Sequence, residues 1–290
     1  MRFWFLLLLA PMLVKAQLPL SIEELLIDQH VLKLDTSISH ATSTQTVQRL
    51  DWVTLDRTHS ESPIAIPRIA RRDSDYTQIV AGLRYGVSRR TELNVRVNNA
   101  YFTVTEPPVS GAPSIFNDTG NLQSLTLGAN WLASPENDTP ALLLSVSLDA
   151  IEKSSVEQAE SLYGKTGRIG ATIYKSIDPV VLSIAMGYEF SSDRELIEQE
   201  LDPGNEWFVS PQLNFAVNHK VTLIGGIAIH VRQGDEIDGR QVTARKSSTQ
   251  ALLGLGFAPT ASSTIFVQSR FNTGGDRSAN LSLDWLYQFQ

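Results

Sequence analysis

Ser37, Ser39, His40 and Ser43 form the densest group of nucleophilic and basic side chains in the sequence. Ser beside His is the chemistry of ester hydrolysis, in which the imidazole takes the hydroxyl proton. Thr42 stands where a His-x-Ser pair needs its serine, however, and no third member adjoins the group. The chain has no Cys, which removes thiolate nucleophiles and thiolate metal sites. His30, His59, His219 and His230 show no metal-ligand spacing, and no glycine-rich phosphate loop is present. Asp235-Glu236-Ile237-Asp238 reads either as a cation-binding loop or as a solvated one. A second set of residues has a different character: Arg84, Glu92, Arg96, Asp149, Arg168, Glu189, His230, Arg270 and Asp284 each sit inside an alternating segment, opposite an apolar face. Their charges nearly balance, which suits mutual pairing or hydration in a confined space better than catalysis. No cofactor and no metal are expected.

The elements that position these residues follow from period 2. Leu281, Leu283, Trp285, Tyr287 and Phe289 share one face of the last ten residues, opposite Ser282, Asp284, Leu286 and Gln288. The same alternation recurs upstream. Twelve strands are expected, near 31–43, 76–87, 91–104, 122–133, 140–151, 166–175, 180–191, 206–217, 221–232, 248–258, 264–272 and 280–290. The links between them alternate long and short, as they do in membrane barrels with short periplasmic turns and long external loops. The fold expected is an all-β, transmembrane antiparallel β-barrel of about 12 strands with a short N-terminal helix. Apolar faces then meet lipid, and the charged set becomes the pore lining. Those charges either set the selectivity of a channel or cross-link and fill the barrel.

Composition fits this picture. Mean hydropathy is −0.08, the average of a lipid-facing and a water-facing stripe. The net charge of −7 supplies no basic field for nucleic acid. Arg2, an apolar run over 3–14 and Ala16 form a secretory signal over 1–16. Its removal takes Arg2 and Lys15, leaving 22 basic against 31 acidic residues, or −9. Segment 17–30 carries a helix start, with Ser21 as cap and Glu24 at the third helical position, and reads as a periplasmic plug or as a linker helix. The barrel then takes 31–290. The bacterial outer membrane is the expected location and its lipid the first partner. The barrel assembly machinery is the second, reading Trp285, Tyr287 and Phe289 as a C-terminal signal. A cargo, small molecule or polypeptide, is the third.

Leu83-Arg84-Tyr85-Gly86-Val87 followed by Arg89-Arg90-Thr91-Glu92-Leu93, with Arg71-Arg72-Asp73 ahead of the strand, resembles a hairpin of one group of outer-membrane proteins. These are the transporters associated with the meta-pathway of phenol degradation and the related secretion channel of the functional-amyloid (Fap) system. The twelve-strand layout is also similar to that of the Fap channel, whose long periplasmic coiled coil has no counterpart in this sequence. The resemblance implies a transport channel with its cargo open. Two other functions stay open at this stage: a non-conducting structural or adhesion barrel with acidic external loops, and an outer-membrane lipid hydrolase built on His40. The channel is the reading favoured, and not an enzyme.

Overall fold

A computed structural model describes residues 26–54, 63–106, 116–154, 161–196, 199–274 and 277–289. Twelve long strands form its wall: β1 (Leu32–Thr54), β2 (Pro63–Ser88), β3 (Thr91–Glu106), β4 (Phe116–Ser134), β5 (Ala141–Ser154), β6 (Thr166–Ile177), β7 (Val180–Ser191), β8 (Glu206–Asn218), β9 (Val221–Arg232), β10 (Lys246–Thr260), β11 (Ser263–Asn272) and β12 (Arg277–Gln288). Each pairs antiparallel with its neighbours in sequence. The ring closes where β12 pairs with β1, from Lys33↔Gln288 to Thr44↔Arg277. Closure leaves no row of unpaired N–H and C=O groups facing hydrocarbon, which could not hydrogen-bond them. All twelve expected strands are present, with β1 and β2 reaching 23 and 26 residues.

Period 2 assigns the faces. Along β10, Leu253 is 59% exposed while its neighbour Leu252 is 2% exposed. Leu253, Leu255 and Phe257 point outward with Val95, Leu127, Val146, Ile184 and Leu283 from other strands. Outward aromatics gather near the short turns (Tyr85, Trp131, Phe257, Trp285) and near the long-loop end (Tyr101, Tyr188, Trp207, Phe271), the two girdles of a spanning barrel. Trp285, Tyr287 and Phe289 meet in series, the first pair tilted and the second edge to face, with ring centroids 5.9 and 5.3 Å apart. Lys175 also sits on β6 in this wall, and its ammonium snorkels to the Asn137 carbonyl and Glu136 of a short turn.

The expected N-terminal helix can be followed only at its end. Most of that segment, 17–25, lies outside the described residues, as does the signal segment 1–16. The described part, Leu26–His30, is a bend and a turn, and no helix occurs among the described residues. The Ile27 N–H donates to a Glu92 carboxylate oxygen, and the Asp28 carbonyl accepts from Val31, so these groups are withdrawn from any helical ladder.

The β1–β12 seam is directly testable because the protein has no cysteine. Ser39 and Ser282 are directly opposed across it, at a Cα separation of about 4.5–5.5 Å that suits a disulfide. Ser39→Cys with Ser282→Cys is expected to oxidise to an intramolecular bridge, read as faster migration of the boiled, unreduced protein. Absence of that bridge would contradict the register.

Candidate functional site: the barrel lumen

All nine charged residues singled out in the sequence fall on the inward face by strand parity. Most are held in pairs. At the short-turn end, Arg84 Nε and Nη2 donate to the two oxygens of Glu92 at 2.9 and 2.8 Å. Asn130 donates to Glu92 Oε1 at 3.0 Å and the Ile27 N–H to Oε2 at 3.1 Å. Glu92 is fully buried and Ile27 nearly so. Higher up, Arg96 reaches Asp35 at 3.4 Å, Arg168 pairs with Glu189, Asp149 accepts from Thr126, and His230 Nδ1 lies 2.8 Å from Glu206. Arg270 reaches Gln268 at 3.4 Å and Asp284 accepts from Ser282 at 3.3 Å.

The Glu92 cluster docks the start of the chain. His30 donates its N–H to the Gly86 carbonyl, and Gly86 donates to Val31. A Cβ on Gly86 would overlap the Asp28 carbonyl, so only glycine admits this approach. Arg84, Gly86 and Glu92, the distinctive residues of the β2–β3 hairpin, therefore hold Ile27 and Asp28 across the short-turn end of the lumen.

The structure corrects one expectation: paired charges line only part of the lumen. Ile224, Leu252, Phe266 and Leu286 form a buried apolar cluster, with Ala258 packed against it. These residues lie on the inward faces of β9, β10, β11 and β12, across the ring from the ion-paired wall of β2 to β5. Gly256 permits the cluster, since a Cβ there would stand 2.7 Å from the Phe266 ring. Phe208 is a further inward aromatic, stacked on His230 with centroids 6.0 Å apart. Sequence alternation misses this cluster because Leu223, Leu253 and Trp285 are apolar on the outer face of the same strands.

At the long-loop end, Arg194–Leu196 and Gln199–Asp202 from the β7–β8 connection join Glu236–Ile237 and Arg240–Gln241 from the β9–β10 connection in one small sheet. Asp238 and Gly239, at φ 50° and 71°, make its two-residue turn. Asp235, expected either to bind a cation or to solvate the loop, knots the cap instead. It accepts from the Gly204 N–H (2.9 Å), Arg232 (2.9 Å) and Thr243 (3.2 Å). Burial opposes its ionisation, but these donors outweigh burial and hold the carboxyl below the ordinary aspartate range. Among the described residues no group of His, Asp and Glu could hold a metal ion. Beneath the cap lies a chamber of about 400 Å³, and below it another of about 380 Å³. The two share Leu122, Ser124, Asp149, Thr166 and Glu189.

Sequence reasoning missed Glu152, a buried carboxylate in the upper chamber. The register of β4 against β5 shifts between Leu125 and Thr126. This bulge turns Ile151 outward and Glu152 inward, against the alternation set by Leu148 and Asp149. The Ser/His group is divided between two faces: His40 is on the outer face beside Thr77, at 2.9 Å, while Ser37, Ser39 and Ser43 have inward parity.

The comparisons with known proteins agree with this architecture. The family described as "Putative MetA-pathway of phenol degradation" matches residues 68–283, and the chain belongs to that family. Of the two groups named from the β2–β3 hairpin, this is the first. No curated protein matches the chain. Among solved structures, the COG4313 outer membrane channel from Pseudomonas putida F1 superposes with a TM-score of 0.66 at 13% identity, over 91% of this chain and 97% of that one. The translocator domain of the autotransporter NalP from Neisseria meningitidis gives 0.56 at 10% identity, over 93% and 92%. The transport unit of the autotransporter AIDA-I from Escherichia coli gives 0.53 at 10% identity, over 90% and 91%. The shared feature is the fold, an outer-membrane β-barrel.

Breaking a buried pair by removing one partner leaves an uncompensated charge, at a cost of about 3–5 kcal/mol. Glu92→Ala is expected to destabilise the folded barrel by about that amount, read from urea unfolding followed by tryptophan fluorescence in detergent. A loss below about 1 kcal/mol, the worth of an exposed pair, would show that the cluster does not anchor the wall.

Proposed function

We propose that this barrel is a passive channel for small molecules with an apolar body and a polar head. The observation that carries this reading is the division of the lumen. Ile224, Leu252, Phe266 and Leu286 pack a buried apolar cluster into the lumen beside Arg270 and Asp284, while Arg84 with Glu92 and Arg96 with Asp35 place ion pairs on β1, β2 and β3. A purely aqueous pore gains nothing from buried apolar side chains, whereas an amphiphilic solute finds each of its parts matched on the way through. Membership of a family described by phenol degradation supports a small aromatic cargo.

In this reading the segment before β1 throttles the lumen. Ile27 is buried at the short-turn end and tied to Glu92 through its own N–H. The aromatic series Trp285, Tyr287 and Phe289 at the end of the chain's last strand serves as the signal by which the barrel assembly machinery takes up the chain, and the outer girdles hold it in outer-membrane lipid.

Planar-bilayer recording tests the channel. The full chain is expected to give a small, steady ion conductance, and deletion of 17–30 a larger one. No conductance from either form would favour a non-conducting structural barrel, and equal conductance from the two would remove the throttle.

A further inference from the structure

Two Arg–Glu pairs of the same composition are built differently. Arg84 and Glu92 are closed, with Nε on Oε1 and Nη2 on Oε2, so both oxygens and both facing donors are used. Arg194 and Glu152, beneath the external cap, are open. Arg194 Nη2 reaches Glu152 Oε2 at 2.9 Å and also donates to Thr166 Oγ1 at 2.9 Å. Sharing one amino group between two acceptors turns the guanidinium away from the side-on fork. Glu152 Oε1 and Arg194 Nε are both buried and have no hydrogen-bond partner among the described residues. Only 6% of the Glu152 side chain is exposed. An ionised oxygen in that position without a donor is costly, so the site is built for something that supplies one.

We propose that this open fork is a binding site for the hydroxyl group of a small neutral molecule, an alcohol or a phenol, at the external entrance of the channel. The proposal rests on the channel reading above and names the polar head it admits. The chemistry follows from the two buried, unpartnered atoms. A hydroxyl donates its proton to Glu152 Oε1 and accepts from Arg194 Nε–H through its own lone pair. An ammonium group satisfies the oxygen but leaves the Arg194 N–H unmet and adds a positive charge beside it. A carboxylate satisfies Arg194 but faces the Glu152 oxygen. The other carboxylates of the chamber are already engaged: Glu189 by Arg168, Glu206 by His230, Asp235 by Arg232 and Asp149 by Thr126. The apolar remainder of such a molecule is met by Leu122, Leu201 and Pro203 in the same chamber, whose volume of about 400 Å³ admits a single substituted ring.

The test is isothermal titration of the detergent-solubilised full chain with phenol and with toluene, an isostere that lacks the hydroxyl. Phenol is expected to bind about tenfold or more tightly than toluene, the worth of a hydrogen bond to a charged group. That preference is expected to vanish in Glu152→Ala and in Arg194→Ala. Arg194 lies in the external cap, outside the wall, so Arg194→Ala decides the matter if Glu152→Ala does not fold. Equal binding of phenol and toluene would overturn the proposal. So would a preference that survives both substitutions, or tighter binding of benzoate or benzylammonium than of phenol. Conductance of the same preparations keeps the two readings apart. Conductance without hydroxyl preference removes the fork alone. Hydroxyl preference without conductance removes the channel and leaves a binding site.

Discussion

Hydrocarbon has no hydrogen bonds to offer, and the rest of this structure follows from that constraint. Each N–H and C=O at membrane depth must find its partner within the chain, so a sheet that crosses must close on itself. Pairing β12 with β1 meets the requirement and divides every strand into a lipid face and a lumen face. Outward residues are then apolar by necessity, with aromatics at the two interfaces. The inward face is released from that demand and can carry charge, provided each charge is paired or hydrated. Arg, Glu and Asp therefore concentrate inside this barrel, and a mean hydropathy of −0.08 is compatible with a membrane protein.

Within the lumen, Glu92 performs the most varied task. Four donors converge on its two oxygens: two from Arg84, one from Asn130 and one from the backbone of Ile27. The same carboxylate thus joins β2, β3 and β4 and fixes the segment that precedes β1. The spacing of Arg84, Gly86 and Glu92 around a tight turn is the spacing this needs. Arg84 and Glu92 are diagonal neighbours across the hairpin, and Gly86, directly opposite Glu92, clears room for the Asp28 carbonyl. The hairpin that resembles the phenol-degradation transporters in sequence is, in physical terms, a dock for the start of the chain.

The sequence made most of the wall legible and little of what lies inside it. Strand positions could be read because an apolar outer face beside a polar inner face leaves a clean period of 2, as from Leu93 to Val97. The inner apolar cluster could not, because Ile224 beside Leu223, or Leu252 beside Leu253, erases the alternation on which the reading depends. Glu152 was hidden by a bulge that shifts the period by one residue. The partners of each charge were out of reach as well, since Arg96 with Asp35 and His230 with Glu206 join residues on different strands. Ile27, just before β1, likewise gives its N–H to Glu92, a tertiary bond that no local pattern announces.

The account stands on a lumen that holds ion pairs and a buried apolar cluster, and adjacent leucines of β10 report on it most directly. A fluorophore carried on Leu252→Cys or on Leu253→Cys, the sole cysteine in each case, can be placed in bilayers of brominated lipid, which quenches only on contact. The account predicts strong quenching at position 253 and little at 252. Equal quenching at both positions would place Leu252 in the membrane and contradict an apolar cluster inside the barrel.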